Sequence, residues 1–159
     1  MSRTTRLIGT LTLVGMAIGS TQTQAAGPFQ FNSLTPCRIF DTRDTVPTSP
    51  TFGGGIKLPN PGPHKFTIKG KCGVPAGAQA VTLNVTITQP TQAGDLRMFP
   101  SDVAQPVVST LNYNANEPAL ANGAIVPLAA AATQDLSIVL GMGAPGSVHV
   151  LVDVTGYFQ

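Results

Sequence analysis

The chain has 159 residues, with nine Lys and Arg against seven Asp and Glu, two His, and a formal net charge of +2. Only 10% of its residues are charged, while Gly and Pro number 17 and 14; a typical globular domain carries roughly 25% charge. Arg3 and Arg6 lie in a leader-like segment, so residues 27–159 hold as many cations as anions, which removes the electrostatic basis for binding a nucleic-acid backbone and weakens that for an anionic membrane surface.

Residues 1–26 read as a secretory signal peptide. Arg3 and Arg6 precede the apolar run from Leu7 to Ile18, and Thr23-Gln24-Ala25 closes it with small and polar residues. The run is shorter than the roughly 20 apolar residues a spanning helix needs, so no transmembrane segment is expected. The domain is then residues 27–159, of a length for one ordinary core, exported to the extracellular space or cell surface, with the periplasm also open. In that oxidising setting Cys37 and Cys72, the only cysteines, are expected to form a disulfide.

Residues 27–36 form an N-terminal arm in which Phe29 and Phe31 are two residues apart. An extended arm would place both rings on one side, where they serve either the arm's own sheet or the edge of a neighbouring copy. A first strand is expected at 37–41. Residues 42–63 hold five prolines and Gly53-Gly54-Gly55, a density of breakers that predicts a long loop and the favoured place for outside contacts.

From His64 onward the pattern is strands between turn residues. The alternation at 64–69 predicts a half-buried strand, and at 80–88 Val81, Leu83, Val85 and Ile87 share one face with Thr82, Asn84, Thr86 and Thr88 opposite. Further strands are expected at 94–99, 107–113, 124–128, 136–140 and 147–158. The last is apolar on nearly both faces, which predicts a central position in its sheet. The four alanines 129–132 are too few to nucleate a helix alone. Without helical crossovers the strands must pair antiparallel, so the expected fold is one all-β sandwich of two antiparallel sheets, jelly-roll or immunoglobulin-like, with one disulfide.

Several phrases together carry a resemblance: Leu34-Thr35-Pro36-Cys37-Arg38-Ile39-Phe40-Asp41-Thr42-Arg43, Cys72-Gly73-Val74-Pro75-Ala76, Leu83-Asn84-Val85-Thr86, Ala93-Gly94-Asp95-Leu96, Ser109-Thr110-Leu111-Asn112-Tyr113 and Asp153-Val154-Thr155-Gly156-Tyr157-Phe158. Across nearly the whole of residues 27–159 the chain resembles a family of β-rich modules on secreted and cell-wall-associated bacterial proteins. The resemblance implies a location and a β-rich fold, and a bridge between Cys37 and Cys72; it implies no catalytic residues.

Asp41, Arg43 and Asp153 make the sharpest polar cluster. A carboxylate capping a turn and an Arg43 pairing with Asp153 on another strand is the structural reading; a calcium site would need six to eight oxygens, and no acid-rich loop supplies them. His149, on a strand between Val148 and Val150, reads as a hydrogen-bonded imidazole, and His64 as solvated. Neither sits at zinc-ligand spacing to the cysteines, and no nucleophile elbow is present, so no catalytic residue, metal or cofactor is expected. Asn84-Val85-Thr86 is a glycosylation sequon in form but lies within a strand. The expected function is a non-enzymatic structural or interaction module, self-assembling through strand edges with identical copies as partners; the alternative is binding of a cell-surface polysaccharide, with hydrolysis a distant third.

Overall fold

The computed structural model describes residues 28–46, 53–130 and 133–159. The signal peptide expected at 1–26, Gly27, the loop residues 47–52 and the last two alanines of the 129–132 run lie outside them. Among the described residues there are nine strands and no helix. They are β1 Phe31–Asp41, β2 Leu58–Pro59, β3 His64–Phe66, β4 Ala80–Thr88, β5 Gly94–Pro100, β6 Leu111–Tyr113, β7 Leu120–Pro127, β8 Leu136–Met142 and β9 Ser147–Phe158.

The strands pair antiparallel as nested partners: β1 with β9, β3 with β8, β4 with β7, and β5 with β6. One sheet runs β1-β9-β4-β7, with β2 also on β9, and the other β3-β8-β5-β6. A long hairpin rolled over on itself so that successive arms fall alternately in two sheets gives this order, which is the jelly-roll connectivity and not the immunoglobulin one. Alternation on β4 and β9 sends Val81, Leu83, Val85, Ile87, Val150, Val152 and Val154 inward, against Leu96 of β5 and Leu136, Ile138 and Leu140 of β8. Phe40 and Phe66 meet edge to face, centroids 5.0 Å apart, and tie the first sheet to the second.

β4 and β9 span the predicted ranges, and β9 is central, between β1 and β4. Elsewhere the boundaries differ for identifiable reasons. β1 starts at Phe31, six residues earlier than expected: Phe31, Asn32 and Ser33 pair with Phe158, Tyr157 and Gly156 before a register shift carries the strand past Pro36 to Cys37. The arm thus pairs with β9 of its own chain. β3 ends at Phe66 because the amides of Ile68 and Lys69 turn to the Asp135 carboxylate, at 2.7 and 2.8 Å. β6 keeps only Leu111–Tyr113, since residues 107–110 run over the surface with Val107 91% exposed. The Pro-rich loop contributes the short β2, and its Lys57 ammonium donates to the Gln89 carbonyl at 2.6 Å.

Candidate functional site

The polar cluster forms where β1 ends against β9. Arg38 and Asp153 lie directly opposite in the register, and the guanidinium meets the carboxylate with two bonds, Nε to Oδ1 at 2.6 Å and Nη2 to Oδ2 at 2.9 Å. Its remaining arm reaches Asp41 Oδ2 at 3.0 Å. Asp41, 2% exposed, also accepts the Arg43 amide at 2.9 Å and that side chain's Nε and Nη2 at 3.0 and 2.7 Å. The expected Arg43 to Asp153 pair is therefore replaced: Asp153 belongs to Arg38, and Arg43, past the strand end, folds back onto Asp41. Burial pushes the Asp41 carboxyl up, but the hydrogen bonds and charge of Arg43, with the charge of Arg38, outweigh it and hold the group below the usual carboxylate range.

Beside the cluster, fully buried Thr42 shares its hydroxyl between the Val150 amide, which donates to it at 2.9 Å, and His149 Nδ1 at 3.0 Å. Burial, reinforced by the charges of Lys57 and Arg43, lowers the His149 pKa and favours neutral imidazole. His64 is not simply solvated: its Nε2 sits 2.7 Å from the Pro59 carbonyl. Every carboxylate and guanidinium of the cluster faces an internal partner. Its chemistry is that of a clamp joining β1 to β9. Among the described residues no three His, Cys, Asp or Glu gather as metal ligands, and no helix is long and apolar enough to cross a membrane.

Cys37 and Cys72 form the expected disulfide, Cα atoms 5.8 Å apart. It fastens β1 to the turn after β3, where Gly70, Cys72 and Gly73 all take positive φ. Phe31 lies tilted against Phe158, ring centroids 5.3 Å apart, yet Phe29 and Phe31 both remain about half exposed. Asn84 lies on the outer face of β4, 3.5 Å from the Thr86 hydroxyl.

The opposite margin of the same sheet carries what the motifs did not indicate. β7 pairs with β4 on one side, and among the described residues no strand pairs with its other side. A cleft of about 390 Å³ runs beside it, lined by Met98, Phe99, Val108, Ile125 and Val126 among others. On the outer face a shallow recess of about 270 Å³ lies over Gly123, between Ile125, Thr82 and Thr155. Val107, Val108 and Ile125 are among the most exposed large apolar side chains. One signal was present in the sequence: from Val103 to Pro127 the only charge is Glu117.

Comparison with known protein families and with curated proteins finds no match to this sequence. Among solved structures, the Tobacco streak virus coat protein aligns over 83% of this chain and 89% of its own, at 11% identity and a TM-score of 0.37, a likeness too distant to bear on function.

Proposed function

We propose that this chain is a non-enzymatic structural or interaction module, secreted to the cell surface or extracellular material, whose identical copies associate through sheet edges. The observation that carries the reading is that exposed apolar side chains, Val108 and Ile125, line a cleft beside β7, whose outer edge has no strand partner among the described residues, in a stretch of chain nearly free of charge. Such an edge is a template for another strand, and a charge-poor surface does little to repel one. The leader-like residues 1–26, the Cys37–Cys72 bridge and the resemblance to bacterial cell-wall-associated modules support export. The polar cluster adds no competing chemistry, because its groups are consumed in mutual pairing.

Sedimentation velocity of residues 27–159 over a wide concentration range tests the reading, with negative-stain microscopy of the concentrated sample. Concentration-dependent species or filaments are expected; a monomer at every concentration rejects it. A second reading, a polysaccharide-binding module, is favoured by the exposed rings of Phe29 and Phe31, which would stack on sugar. Co-sedimentation with insoluble cell-wall polysaccharide, lost in a Phe29→Ala/Phe31→Ala double variant, is the result that would select it.

A further inference from the structure

We infer that β7 is the self-association strand and that a second copy of this chain docks on it antiparallel about a two-fold axis at Ala124, making one sheet continuous across two molecules. The inference rests on the self-association proposed above and assigns it an edge, a partner and a register. Three independent observations converge on it.

The first is Gly123. It lies in the middle of an edge strand with no positive φ, and a Cβ built on it would meet nothing within 4 Å. At Gly94, Gly141 and Gly156 an added Cβ would strike neighbouring atoms of the same chain, so the fold itself explains those glycines. It does not explain Gly123, and a strand glycine that internal packing does not require marks the close approach of something from outside.

The second is shape. Ala121, Gly123 and Ile125 point to the outer face, since their partners across β4, Thr86, Asn84 and Thr82, alternate with the inward Val85 and Leu83. The recess over Gly123 is flanked by Ile125, 65% exposed. Pairing β7 with its two-fold mate about Ala124 sets Ile125 of each copy opposite Gly123 of the other. Both recesses are then filled by one symmetric operation, as an isologous interface requires. In that register the two Ala124 Cα atoms stand about 4.5–5.5 Å apart.

The third is charge. β7 carries no charged residue, and neither do residues 108–110 along the cleft. A two-fold axis places each residue near its own copy, so any charge at the centre would meet a like charge; β7 and the cleft-lining Val108, Ser109 and Thr110 present none. That neutrality suits a second copy better than a charged partner.

The test uses Gly123→Val, Ile125→Lys and Ala124→Cys in the purified domain, with thermal melting of each variant as the check on folding. Gly123→Val should keep or raise the melting temperature, because the space is open and valine suits a strand, while weakening self-association by about tenfold or more. Ile125→Lys should do the same by placing cations near the axis. Ala124→Cys should give a disulfide-linked dimer on mild oxidation, within the Cα range a bridge demands, with the Cys37–Cys72 pair intact by peptide mapping. Wild type that associates while folded Gly123→Val and Ile125→Lys associate equally well overturns the β7 assignment and leaves edge association by another strand standing. Wild type that stays monomeric overturns both. A folded Ala124→Cys variant that does not cross-link while the other two lose association overturns the register alone.

Discussion

The two margins of the larger sheet are built in opposite ways. β1 is broken by two register shifts, contains Pro36, is bolted to another segment by Cys37–Cys72 and is locked to β9 by the Arg38–Asp153 pair. Each of these is a device that keeps an edge strand from recruiting another chain. β7 pairs in unbroken register over eight residues and has no proline before Pro127 and no charge. One sheet thus shows a guarded edge and an open one, and the difference locates where a neighbour can add without disturbing the fold.

The comparison breaks most sharply at the disulfide. Replacing Cys37 and Cys72 by Ser should destabilise by about 4 kcal/mol, from the loop of 35 residues it closes. Denaturant melts should show the loss, and hydrogen exchange should show it at every amide that opens by global unfolding, with further local opening at β1. Next in size, Asp41→Asn removes the charge that holds Arg38 and Arg43 and should cost about 2 kcal/mol. The same carboxylate sets an acid limit: its folded pKa lies below the ordinary 3.8, so its contribution is complete above that value and fades as pH falls through the folded pKa. His149 acts earlier. Its folded pKa is depressed below 6.5, so the unfolded chain takes up the proton first and stability declines as pH drops from 6.5 toward the folded value. A His149→Gln variant should flatten melting temperature against pH in that window. Arg38→Gln should cost about 1 kcal/mol or less, because its side chain is 43% exposed and the Asp153 pair is solvent-screened. Smallest of all, Gly123→Val should change monomer stability by only about +0.5 kcal/mol, which makes any loss of assembly attributable to the edge itself.

The two long strands at the middle of the larger sheet were legible in the sequence: β4 because it alternates strictly, and β9 because it is apolar on nearly both faces, as a central strand is. The β1 arm was not, because Pro36 and the shift after Ser33 interrupt the period of two just where pairing with β9 continues. The disulfide followed from the expected export and from the presence of just two cysteines. The polar cluster was recognised, but its partners were not: an acid's choice between Arg38 and Arg43 depends on register, and only pairing shows Arg38 opposite Asp153. β7 was half missed, because Ala121, Asn122, Gly123 and Ala124 offer no hydrophobic alternation. An edge strand with one half-buried face and one bare face has little to write into periodicity.

The nesting of the strands also governs how the fold can be reached. Arg38 and Asp153 are 115 residues apart, so the outermost pair closes the largest loop and its contact is entropically the dearest to form. The innermost pairs, β5 with β6 and β4 with β7, close shorter loops, and their order of assembly should run from the middle of the chain outward. β9 has β4 on one side and β1 on the other, so until it docks β4 presents its second edge as openly as β7 does. A chain at high concentration therefore exposes more adhesive edge while folding than after it, and the proposed association will be cleanest when folding is complete before copies meet.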